Sequence, residues 1–258
     1  MAMMSALASV PGGSLAQEVD GQLSFGYERL SRDDESANRV VAQAQGSLAP
    51  TESFSLGGLL QVGRLSNDDF EIAGFTSPGD REFDVDQVIL GIEPTYALTP
   101  RFRAGVFLEY ADVGGDAGDV SSTAYGIVGE GRVSEMAYVS GFFGRTDSDD
   151  FAEPIDSFGL RVDADLSQAL SVFGSFENDE FANGTAERLS IGGSLDLPSV
   201  GTGIPGQIDL RYSRAAGLAE VGDDVGQLYL GYSIQLRGGS NYLFDGPKGA
   251  FRNLGLGF

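Results

Sequence analysis

The 258-residue chain contains no cysteine, no histidine and no tryptophan, and only 9 prolines. Without cysteine, disulfides, thiol nucleophiles and thiolate metal sites are excluded; the compartment stays open, because exported proteins also fold without disulfides. Without histidine, Ser-His-Asp and Cys-His catalysis and imidazole-ligated zinc or haem are excluded. No run approaches the roughly 18 consecutive apolar residues of a transmembrane helix, so a membrane role would require a barrel. Positive charge is scarce as well. Lys and Arg number 16 against 38 Asp and Glu, a formal net charge of -22 that repels nucleic-acid phosphates.

What the chain does have is glycine, 38 residues of it, and a hydrophobic content of 41%, enough apolar surface to fold or to meet lipid. Beyond Asp20 the dominant pattern is alternation with period two. Phe54, Leu56, Gly58, Leu60 and Val62 share one face of a strand whose other face holds Ser55, Gly57, Gln61 and Gly63. Phe102 to Tyr110, Phe158 to Leu166, Leu189 to Leu197 and Leu228 to Leu236 repeat it, and weaker versions start near Gly21, Ala37, Val85, Thr123, Met136, Ala169 and Gln207. The pattern predicts about twelve strands, each close to the roughly ten residues that cross an outer membrane at a tilt.

The connections alternate in kind. Short ones such as Ala49-Pro50-Thr51-Glu52 and Leu98-Thr99-Pro100-Arg101 are separated by acidic stretches: Ser31 to Ser36, Ser66 to Asp84, Asp112 to Ser121, Thr146 to Asp156, Glu177 to Glu187 and Ala215 to Asp224. Short turns at one rim and long loops at the other predict an all-β, closed, antiparallel up-and-down transmembrane barrel. Alternation alone does not say which face is outside. The polar face, however, carries long charged side chains of both signs, namely Glu93, Arg103, Glu109, Glu130, Arg161, Asp163, Arg188, Asp209 and Arg211. Such charges suit a hydrated lumen in which neighbouring strands pair them, so these nine are the expected pore-lining residues.

The chain resembles the porin-like outer-membrane proteins of Gram-negative bacteria from about Gly21 onward. Gly231-Tyr232-Ser233-Ile234-Gln235-Leu236 is similar to the closing-strand signal read by the barrel-assembly machinery, and the chain ends in Phe258, as porins commonly do. Asn253 to Phe258 with Tyr242-Leu243-Phe244 would give fourteen strands instead of twelve. Residues 1–16 look like a secretory-signal remnant ending at Ser14-Leu15-Ala16, although they lack Lys and Arg, and a disordered tail is the alternative. The barrel is assigned to 17–238, and 239–258 to a tail or closing strand. The resemblance implies an outer-membrane location and contact with lipid and lipopolysaccharide, with small solutes or ions as cargo.

Other constellations are weaker. Asp163 and Asp165 lie two apart on one face, but lumen charge accounts for them better than acid-base hydrolysis does. The acidic run Asp147-Ser148-Asp149-Asp150 fails the EF-hand pattern at Ala152 and Phe158. The expectation is a passive channel without catalysis, cofactor or metal, mildly cation-selective because acidic loops crowd its mouth. A closed barrel that contacts lipopolysaccharide or a partner is the alternative. Ser66 to Asp84 is expected to fold inward as a constriction carrying Asp68, Asp69, Phe70, Glu71 and Phe75. Parity also points Phe107, Phe142, Phe173 and Tyr229 into the lumen, which means either a shifted register or a partly apolar, narrowed interior.

Overall fold

The computed structural model describes residues 18–32, 35–67, 83–115, 118–149, 153–182, 184–216, 224–236 and 246–249. Twelve strands follow one another: β1 (Glu18–Arg32), β2 (Glu35–Ala49), β3 (Phe54–Asn67), β4 (Phe83–Thr99), β5 (Phe102–Gly115), β6 (Gly118–Arg132), β7 (Ala137–Asp147), β8 (Ile155–Asp165), β9 (Leu170–Phe181), β10 (Gly184–Asp196), β11 (Gln207–Ala216) and β12 (Val225–Leu236). Each pairs antiparallel with its sequence neighbours, and β1 pairs with β12 from Gly21↔Leu236 to Ser31↔Gly226, which closes the barrel. Tyr242 to Phe244 and Asn253 to Phe258 lie outside the described residues, and closure is complete without them. Twelve strands spaced ~4.8 Å apart and tilted ~40° enclose a backbone radius of about 12 Å.

The alternation sorts inside from outside. Leu60, Val106, Leu108, Ile127, Leu160, Ile191, Leu210 and Leu230 are exposed on the outer wall, whereas Gln61, Glu93, Glu109, Ser140, Ser157, Glu177, Ser213 and Ser233 are buried on the inner one. A water-soluble barrel shows the opposite polarity, so this exterior is built to face lipid. Outward Phe54, Tyr96 and Phe102 lie toward the turn rim, and Tyr27, Tyr110 and Tyr125 toward the loop rim. On β5 the eight steps from Phe102 to Tyr110 span ~27 Å along the strand, about 20 Å once tilted, near the thickness of an outer-membrane apolar band. Beyond the loop-side girdle the outer face becomes ionic. Arg64 pairs with Asp86 and Arg145 with Asp156, both through two hydrogen bonds, and Arg214 pairs with Asp224.

Strands run further toward the loop rim than the acidic composition implied. The predicted loop Asp112 to Ser121 is mostly ladder, with Asp112↔Ser121, Val113↔Val120 and Gly114↔Asp119 in register. β1 and β2 likewise pair out to Arg32↔Glu35, and β9 and β10 to Phe181↔Gly184. The apolar half of the alternation stops where lipid stops, while backbone pairing continues into water with polar side chains outward. At the turn rim, hydroxyl side chains hold the reversals: Thr51 Oγ1 accepts from the Phe54 amide, and Ser167 Oγ from the Ala169 and Leu170 amides. The longer β10–β11 connection carries a single 3₁₀ turn, Pro198–Val200, that ends on left-handed Gly201.

Candidate functional site

The chemistry is in the lumen. Glu28 of β1, 2% exposed, accepts from Arg39 Nη1 at 3.0 Å and from Arg211 Nη2 at 2.6 Å, so one carboxylate bridges two guanidinium groups. Arg39 also donates to Gln87 across the lumen-facing surface of β3. Arg188 Nη2 holds both oxygens of Glu177 at 2.7 and 2.6 Å. Arg161 grips Asp163 through Nε at 2.9 Å and Nη2 at 2.7 Å. Asp209 accepts from Ser194, Gln207 and Ser233. Between these groups lies a cavity of ≈ 380 Å³, whose wall also includes Gln22, Gln43, Gln45, Gln61, Ser171 and Ser175. Paired charges, amides and hydroxyls make it a surface that water wets readily.

Aromatic rings brace this wall, and glycines make room for them. The Phe173 ring lies against Gly192, where an added Cβ would meet Cε1 of the ring at 2.6 Å, and Arg161 stacks on it at 3.8 Å from the centroid. Tyr229 lies over Gly26 and Gly231 and carries Arg211 at 4.8 Å. Phe107 lies over Gly126 and Gly144 and meets Phe142 edge-on, with 6.1 Å between centroids and 87° between ring planes. All four rings face inward with the register intact; the one register shift in the β4–β5 ladder is at Ala97/Thr99, near the turn rim. A partly apolar, narrowed interior is therefore what the parity meant. Ring-covered glycines explain both the lumen aromatics and part of the glycine content.

Against β4 and β5 the lumen holds a short segment of the chain itself. Residues Gly246 to Gly249 lie inside the barrel, and Lys248, the one lysine of the sequence, is 0% exposed. Its Nζ is 2.8 Å from Glu93 Oε2 and 4.0 Å from Glu109 Oε1, and 5.5 Å from the centroid of Phe107. The backbone amides of Lys248 and Gly249 donate to Glu109 Oε2 at 2.7 and 2.8 Å. Gly246 and Pro247 form part of the boundary of the ≈ 380 Å³ cavity, so this segment stands between β4 and β5, which it contacts, and a cavity bounded by β8–β12 and β1–β3.

All nine residues chosen from the sequence point inward. Arg161 and Asp163 come together, as do Glu93 and Glu109 through Lys248; Arg188 and Arg211 take partners outside the nine. Arg103 reaches Ser55 and Thr95 near the turn rim and lies directly opposite Glu130 in the β5–β6 ladder. The sequence reading missed Glu28, Arg39, Glu177 and Lys248. The first three sit on polar faces whose parity was readable, while Lys248 lies in a tail without alternation. Asp68, Asp69, Phe70, Glu71 and Phe75 lie outside the described residues.

No protein-family model and no curated protein matches the chain. Solved structures do resemble it. An outer-membrane channel from Pseudomonas putida F1 superposes with a TM-score of 0.60 at 12% identity, covering 88% of this chain and 97% of that one. The β-domain of the Bordetella autotransporter BrkA gives 0.51 at 15% identity over 84% of this chain and 99% of that one. The monoaromatic hydrocarbon channel CymD gives 0.51 at 11% identity over 84% and 88%. Likeness at this distance establishes fold alone. Together with the inverted polarity, that fold is an outer-membrane β-barrel, and the bacterial outer membrane is where it resides.

Proposed function

We propose that the protein is a narrow outer-membrane channel for passive diffusion of small hydrophilic solutes or ions, with mild cation selectivity. The observation that carries this reading is the ≈ 380 Å³ cavity inside the barrel, lined by ion-paired arginines, glutamines and serines. A purely structural barrel has no need of a wetted cavity bounded by amides and hydroxyls. Glu93, Arg103, Glu109, Glu130, Arg161, Asp163, Arg188, Asp209 and Arg211 are the proposed wall of the path, and the loop carrying Asp68, Asp69, Phe70, Glu71 and Phe75 is its proposed constriction. On the inner wall carboxylates outnumber cations once Glu28, Glu177 and Asp179 are added to that set and set against Arg39 and Lys248. Acidic residues near the mouth add to the bias, within the ~8 Å reach of unscreened charge at physiological salt.

Reconstitution into planar bilayers tests this. Discrete conductance steps are expected, with a reversal potential across a KCl gradient that favours cations and fades as salt rises; silence at high protein load would overturn it. A second reading, a plugged structural barrel whose outer loops contact lipopolysaccharide, draws support from the segment around Lys248 lying in the lumen. Assembly by the barrel-assembly machinery through the β12 motif Gly231 to Leu236 belongs to both readings.

A further inference from the structure

The Lys248 pocket has the makings of a recognition site. Two carboxylates, Glu93 and Glu109, lie 0% and 2% exposed on adjacent strands, and both approach one ammonium. Removing that cation would leave two buried negative charges side by side, a strongly unfavourable state that any fitting cation relieves. The third wall is the face of Phe107, at a distance within cation–π range, and its ring is fixed by Phe142 and by the glycines beneath it. The occupant here is a compact ammonium on an alkyl stem, a point charge that approaches both carboxylates and the ring face at once without the planar fork that a guanidinium would have to seat. Lys248 is the single lysine of the sequence, whereas the other lumen cations on the described wall are arginines.

The anchoring is divided between the two carboxylates. Glu109 Oε2 receives the main-chain amides of Lys248 and Gly249, whereas Glu93 faces the ammonium at 2.8 Å. The segment therefore has a backbone anchor on Glu109 besides the ammonium contact with Glu93, and the neighbouring cavity reaches Pro247 of the same segment.

We propose that Glu93, Glu109 and Phe107 form a binding site for primary alkylammonium solutes, which Lys248 fills as a tethered occupant and which such solutes enter by displacing its side chain. That solutes reach it by permeation rests on the channel reading; the site itself does not. Because the lysine is tethered, its effective concentration is of millimolar order, and a competing amine must reach that range.

The test uses the full-length barrel refolded in detergent, with n-butylammonium as probe and n-butanol as its uncharged counterpart. Lys248→Ala keeps both backbone amides and empties the pocket. It is expected to bind n-butylammonium at least tenfold more tightly than the wild type by titration calorimetry, to ignore n-butanol, and to lose the binding in Lys248→Ala/Glu93→Gln. Equal affinity in wild type and Lys248→Ala, or binding retained after Glu93→Gln, would overturn the proposal. Should Lys248→Ala not fold, the wild type still decides. Lys248 is the only lysine, so in a barrel labelled with ¹⁵N-lysine its ammonium resonance should move toward that of a solvent-exposed lysine as millimolar n-butylammonium is added, and an unchanged resonance counts against the site. Amine binding without bilayer current in any variant would remove the channel reading and leave the site; current without amine binding would do the reverse.

Discussion

Gly126→Ala should destabilise the barrel far more than its chemistry suggests. A Cβ at Gly126 would lie 2.2 Å from the Phe143 carbonyl oxygen, 2.6 Å from Gly144 Cα and 2.8 Å from Cε1 of Phe107. The two nearest atoms are backbone of the paired strand, so the contact is relieved only by opening the β6–β7 ladder or by displacing Phe107. Overpacking of this kind costs about 1–3 kcal/mol, and the fixed backbone puts this site in the upper half of that range. At ~2 kcal/mol the folded-to-unfolded ratio falls about thirtyfold. Gly174 supplies the control. It lies on the outer face, with its nearest neighbour 3.9 Å from the added carbon. There, replacing glycine in a strand should be neutral or stabilising by roughly 0.5–1 kcal/mol. Urea titration of both variants in lipid vesicles, followed by far-ultraviolet circular dichroism and by heat-modifiable gel mobility, should lower the midpoint for Gly126→Ala and leave that for Gly174→Ala unchanged or raised. With a slope of ~1–3 kcal/mol/M, Gly126→Ala should lose roughly 1 M in midpoint. Equal midpoints would refute the packing of Phe107 onto glycine.

Two further outcomes follow from the same geometry. Ile191, 66% exposed near the middle of β10, should tolerate Val but lose ~2–4 kcal/mol of stability in lipid as Ile191→Arg, with little loss if the outer wall met water instead. Glu28→Gln removes the anion that Arg39 and Arg211 share and leaves them one neutral carbonyl oxygen; it should cost about 3 kcal/mol in the same urea assay and shift the reversal potential toward anions, and an unchanged potential would place Glu28 away from the permeation path.

The sequence by itself determined the strands, because a period of two is a property of consecutive residues, and Phe54 to Val62 or Leu228 to Leu236 display it without reference to anything distant. It also determined which side chains share a face, so the nine charged residues could be grouped on the polar faces before any fold was known. The same local signal faded at Asp112 to Ser121, where both faces become polar though the ladder continues. Only the tertiary structure decided which face meets lipid, since closure through β1 and β12 depends on residues some two hundred positions apart. Only it could join Arg211 to Glu28, or bring Lys248 from a patternless tail to Glu93 and Glu109. Those contacts arise because a closed barrel leaves an enclosed interior that must be filled or wetted, and buried charges there find partners by position in space, which local periodicity does not encode.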